Sequence, residues 1–103
     1  MDAQIKKGVL EMCILHCISQ DSLYGYDIIQ KMHAYFPEVK ESTFYAILRR
    51  LHREGEATTY TSDSSKGPVR KYYQITAQGM KELEKMEADW RDLKRIVGEM
   101  GIF

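Results

Sequence analysis

Between Pro37 and Gly55 the chain carries two helical stripes at once. Phe44, Ile47, Leu48 and Leu51 fall at i, i+3, i+4 and i+7, and Ala46, Arg49, Arg50 and Arg53 repeat that spacing two positions later. At about 100° per residue, the second stripe lies roughly 200° around the helix from the first. One face is therefore apolar and the other rich in arginine. Such a helix needs a protein core on one side and solvent or an anionic partner on the other. Ser42 and Thr43 are natural N-cap residues, and Gly55 ends the segment.

The neighbouring patterns supply that core. Ile5 to Ile18 is too continuously apolar for a half-exposed strand and reads as a buried helix. Asp21 and Ser22 interrupt it, and Gly25, Ile28, Ile29, Met32 and Phe36 then recur at helical spacing until Pro37. Beyond Gly55, Glu56 to Thr61 and Val69 to Thr76 favour strands flanking the polar loop Ser62 to Pro68. In the second strand, alternation sends Val69, Lys71, Tyr73 and Ile75 inward and Arg70, Tyr72 and Gln74 toward solvent. Ala77 to Met100 is a long, proline-free helix, and the Thr76-Ala77 junction is the expected hinge. The chain thus reads as mainly α with a small β-hairpin: residues 1–76 as one compact unit and residues 77–103 as a C-terminal helix.

At 103 residues one core is expected. No run approaches the roughly 20 apolar residues that cross a bilayer, and the first residues lack a cleavable leader pattern, so the cytoplasm is the expected compartment. The formal net charge is zero, but it is unevenly spread: −2 over residues 1–41, +3 over 42–76 and −1 over 77–103. A basic middle segment is a local footprint for a polyanion.

That segment holds the candidate site. An α-helix fits the DNA major groove, and arginine bonds bidentately to guanine or phosphate. Arg49, Arg50 and Arg53 with Ala46 form the outer face, and Ser42, Thr43 and Tyr45 near the helix start are placed for base edges or backbone. Lys66 and Gly67 at the hairpin tip, with Arg70 and Lys71 beyond it, suit a wing that grips phosphate. Taken singly, an arginine face is commonplace on a solvated helix and a polar loop is an ordinary turn; their adjacency is what points to double-stranded DNA.

The blocks Leu23-Tyr24-Gly25-Tyr26-Asp27-Ile28-Ile29, Ser42 to Leu51, Glu54-Gly55 and Gly67 to Thr76 resemble the PadR-like transcription regulators in order and spacing. The resemblance implies a winged helix-turn-helix DNA-binding domain over residues 1–76. It also implies a homodimer joined by the last helix, and repression of an operator. One position departs: Ala46 stands where the family often has proline, which removes a rigid early-helix residue.

Leu83, Met86, Trp90, Leu93, Val97 and Met100 are separated by steps of 3, 4, 3, 4 and 3, a heptad seam that wants a partner helix. A homodimer would present two recognition helices to a two-fold-related operator, with half-sites about one helical turn apart. Trp90 at a heptad position is first a packing residue. The resemblance adds a second reading, a wall of a cavity for a small flat aromatic effector that releases the DNA.

Cys13, His16 and Cys17 cluster on the first helix but lack a tetrahedral set, so core packing is expected and no metal or cofactor. No phosphate loop, nucleophile elbow or segregated carboxylate pair suggests an enzyme. The rival reading from another class is a winged-helix adaptor that docks a protein rather than an operator; neutral net charge favours it, and the arginine face opposes it.

Overall fold

The structure is a computed structural model describing Lys6, residues 8–62 and residues 67–103. Ile5 and Lys66, both named above, lie outside the described residues, as does the rest of the hairpin tip at 63–65. The elements are α1 (Val9–Gln20), β1 (Leu23–Tyr24), α2 (Gly25–Tyr35), α3 (Glu41–Arg53), β2 (Ala57–Ser62), β3 (Arg70–Ile75) and α4 (Ala77–Glu99).

The expected order of three helices, a hairpin and a long helix holds, with one addition. Leu23 and Tyr24 pair with Tyr73 and Tyr72, so the hairpin becomes a three-stranded antiparallel sheet in the order β1-β3-β2. Ladder bonds to β1 thus cover the edge of β3 that the hairpin leaves open.

Apolar faces of all four helices meet in one cluster. Ile14 and Leu15 of α1, Ile28 and Ile29 of α2, and Phe44, Leu48 and Leu51 of α3 are all fully enclosed. Tyr73 from β3 and Leu83 from α4 seal its edge. Pro37 stops α2, and Val39, tucked into the cluster, anchors the turn that leads into α3. That helix begins one residue before Ser42: Lys40 is its N-cap, without a side-chain capping bond. Ser42 and Thr43 therefore sit in the first turn rather than capping it, because the extended backbone needed at a cap falls on Lys40.

At its other end α3 closes on Gly55, whose φ of 79° is left-handed. Gly55 N–H donates to the His52 carbonyl at 3.2 Å and Glu56 N–H to the Leu51 carbonyl at 2.9 Å, a Schellman closure.

The Thr76-Ala77 junction, the expected hinge, is a hydrogen-bonded knot in this structure. The Thr76 hydroxyl donates to the Gly55 carbonyl at 2.7 Å and accepts from Gly79 N–H at 3.0 Å, capping α4. Thr76 N–H donates to the Glu56 carbonyl at 3.2 Å, and the Gln78 amide to the Glu54 carbonyl at 3.0 Å. These bonds join the start of α4 to the turn that ends α3. A threonine after a strand looks like a boundary in sequence, but its partners lie about twenty residues upstream and cannot be read from it.

Candidate nucleic-acid interface

α3 presents its outer face as the spacing requires. Ser42, Thr43, Tyr45, Ala46, Arg49 and Arg53 are all exposed while Phe44, Leu48 and Leu51 are buried. Partial burial first, then the charge of Glu41 and the phenols of Tyr24, Tyr26 and Tyr73, push the Tyr45 hydroxyl above its ordinary pKa, so it stays a neutral donor. Tyr73 is raised by burial and feels the charge of Arg49. The Lys71 ammonium lies 5.8 Å from the centre of the Tyr73 ring. Tyr73 thus feels positive charge both from Arg49 of α3 and from Lys71 of its own strand.

Arg50 departs from the expected arginine face. Its guanidinium donates to Glu11 Oε2 of α1 at 2.7 Å, and Glu11 is almost fully enclosed. The hydrogen bond to Glu11 first, and the surrounding carboxylates, hold the guanidinium more firmly charged than usual. The reason is angular. At about 100° per residue Arg50 sits roughly 110° from the centre of the buried stripe, on the flank that α1 covers, whereas Arg53 lies nearly opposite the core. Arg49 and Arg53 have no ion pair among the described residues.

Beside this pair lies Glu56, whose Oε2 is buried without a hydrogen-bond partner among the described residues. Burial first, then Glu11, Glu82 and Glu54, push its carboxyl above the ordinary range, against the pull of Arg50. A carboxyl with a folded value above its unfolded one contributes fully below the unfolded value and loses that contribution as pH rises through the folded value. Glu56→Gln is therefore expected to gain thermal stability relative to the native chain as pH goes from about 4 to about 8. Thermal melts across that range check this, and a difference that stays flat or reverses counts against it.

The two basic residues of β3 point to opposite sheet faces. Arg70 lies over the Tyr24 ring at 5.2 Å, on the face where Tyr60 and Tyr72 stack at 5.3 Å and Tyr24 approaches Tyr72 at 6.0 Å. Tyr72 was expected to face solvent; it is half-buried in this tyrosine row instead. Gly67 is exposed at the base of the wing. Only cross-strand register brings these rings together, although the density of tyrosine was visible in the sequence.

The heptad of α4 divides. Leu83, at 2% exposure, lies in its own protomer's core, so it is closed to a partner, and Met86 packs against that core. Trp90, Leu93 and Met100 are 41%, 54% and 74% exposed, and Ile96, outside the expected seam, joins them. Val97 is half-buried. Trp90 also edges an open groove of about 590 Å³ between α1, α2 and α4, together with Cys13 and Cys17. The thiols sit at the rim of the core rather than inside it.

Three helices, a small sheet and a basic wing beside the exposed face of α3 define a winged helix-turn-helix. The chain belongs to the Transcriptional regulator PadR-like family, whose profile matches residues 14–85. It is similar to a PadR-like transcriptional regulator from Bacillus cereus at 38% identity and a TM-score of 0.85, over 95% of this chain and 96% of that one. A PadR-like transcription factor from Bacteroides fragilis is 36% identical with a TM-score of 0.79, over 95% of both chains. An uncharacterized protein of Lysinibacillus sphaericus is 34% identical over 92% of this chain and 90% of its own length. Membership makes the chain a transcriptional regulator and not an enzyme, with DNA binding implied by the family. Among the described residues, no helix is long and apolar enough to cross a membrane.

Proposed function

We propose that the chain acts in the cytoplasm as a homodimeric repressor that reads a two-fold-related double-stranded operator. The observation that carries this reading is the outer face of α3, where Ser42, Thr43, Tyr45, Ala46, Arg49 and Arg53 are exposed around a fully buried Phe44 and Leu48. In this reading Tyr45, Ala46 and Arg49 approach base edges. Arg53, Lys66, Gly67, Arg70 and Lys71 hold phosphates, and Arg50 braces the helix from its flank while reaching the backbone with its exposed edge.

Residues 77–103 supply the dimer contact. Trp90, Leu93 and Met100, with the half-buried Val97 among them, leave an apolar stripe open on a helix whose first heptad position is already closed, so the seam runs from Met86 onward. A second protomer doubles the basic ridge and gives a chain of zero net charge enough local cation density for DNA. Trp90 beside the groove also fits a small flat aromatic effector whose binding releases the operator.

Duplexes selected from a random pool are expected to share an inverted repeat with half-sites about one helical turn apart. Affinity for that repeat should fall by roughly a thousandfold between about 50 and 200 mM salt if six or more phosphates are neutralised. A chain that ignores every duplex at low salt, yet captures a protein through its sheet or α4, is the adaptor instead. A monomer at micromolar concentration removes the two-fold part of the proposal.

A further inference from the structure

The groove beside Trp90 holds chemistry that operator reading does not use. Cys13 and Cys17 lie one turn apart on α1, both as free thiols and both half-buried. Side chains at i and i+4 share a helix face with Cβ atoms about 5–6 Å apart. A disulfide needs Cβ atoms roughly 3.5–4.5 Å apart, so the pair cannot close on itself while α1 stays helical. One bridging atom between the two sulfurs lengthens the link and removes that obstacle. Both thiols line the groove, where Met12, Tyr35, Phe36 and Trp90 give apolar and aromatic walls.

The donor set narrows the bridging atom. No group of three or more His, Cys, Asp or Glu able to hold a metal ion occurs among the described residues, and zinc in a structural site takes four such ligands. Soft sulfur donors select soft centres. A trivalent arsenic that already bears one aryl carbon needs just two sulfurs, and its ring needs an apolar pocket. Burial keeps both thiols more strongly protonated than a free cysteine, which disfavours simple alkylation at neutral pH. A centre that expels water while displacing both protons suits this environment better.

We propose that Cys13 and Cys17 form a chelating dithiol site for trivalent aryl arsenicals, with the aryl group lying against Trp90. With phenylarsine oxide, both S–H bonds and the arsenic–oxygen bond break and two As–S bonds form. The two protons leave with the oxygen as one water, and arsenic remains trivalent, so no oxidant or reductant is required. The site shares Trp90 with the proposed dimer seam and rests on the reading of this groove as an aromatic-ligand pocket, while it does not depend on operator binding.

The test uses the full-length reduced protein and phenylarsine oxide. Non-denaturing mass spectrometry is expected to show one phenylarsenic adduct per chain, formed with loss of one water and reversed by 2,3-dimercaptopropanol. Trp90 fluorescence should change with the same stoichiometry, since it is the only tryptophan. Cys13→Ser and Cys17→Ser are each expected to weaken binding by about a hundredfold or more, the scale of losing an intramolecular second bond. Absence of the adduct on the native chain overturns the proposal without reference to any variant. So do native-like affinity in either single variant and a fluorescence change without the covalent adduct.

Discussion

Gly79→Ala is expected to destabilise the protein by about 3 kcal/mol or more, although alanine is the better helix former. A Cβ at Gly79 would run into the Glu56 carbonyl oxygen, far inside contact distance, and would meet Ile75 Cγ1 at 2.8 Å. The obstruction is backbone and cannot swing aside. Glu56 is held from both ends, its N–H on the Leu51 carbonyl and its carbonyl on the Thr76 N–H. At about 4–8 °C per kcal/mol for a domain of this size, the melting temperature should fall by roughly 12–24 °C. Gly98→Ala is the matched control. It lies in the same helix with nothing among the described residues within 4 Å of an added Cβ, and should be neutral or stabilising by up to about 1 kcal/mol. Equal melting temperatures for the two variants would show that α4 does not seat against the α3 turn as described.

The second large effect separates two adjacent arginines. Arg49→Ala is expected to weaken operator binding by about 1–3 kcal/mol, roughly 5- to 150-fold, and to leave the melting temperature unchanged. Arg50→Ala should instead cost about 1–3 kcal/mol of folding stability, because it strands the enclosed Glu11 carboxylate without its partner. Measuring both quantities for both variants gives a crossed pattern. If Arg50→Ala melts like the native chain and loses as much affinity as Arg49→Ala, the Arg50–Glu11 pair is not the brace inferred from its 2.7 Å contact.

The contrast shows where sequence reading stops. The apolar stripe of α3 was legible because Phe44, Leu48 and Leu51 obey a local period, and so was the exposure of Arg53, nearly opposite that stripe, and of Arg49 on the outer face beside it. Arg50 sits on the flank, where its fate depends on whether a neighbouring element carries a carboxylate; Glu11 does so from 39 residues away. The strand Leu23–Tyr24 was equally invisible, since two residues have no periodicity and become a strand only through pairing with β3. The heptad of α4 named Trp90, Leu93 and Met100, which are open, and missed Ile96, which is open too. It could not show that the first position, Leu83, lies in the protomer's own core. Nothing local marks the need for glycine at position 79 either, because the carbonyl it makes room for belongs to a distant turn.

The Thr76 knot has a mechanical meaning for the proposed dimer. With the base of α4 bonded to the turn that ends α3, a change in the crossing of the paired C-terminal helices cannot be absorbed at the junction. It swings each reading head as a solid piece, as an oar blade follows its shaft, and alters the separation of the two α3 helices while leaving each one's shape intact. Spin labels on the two wings would register such a swing as a shift in their distance.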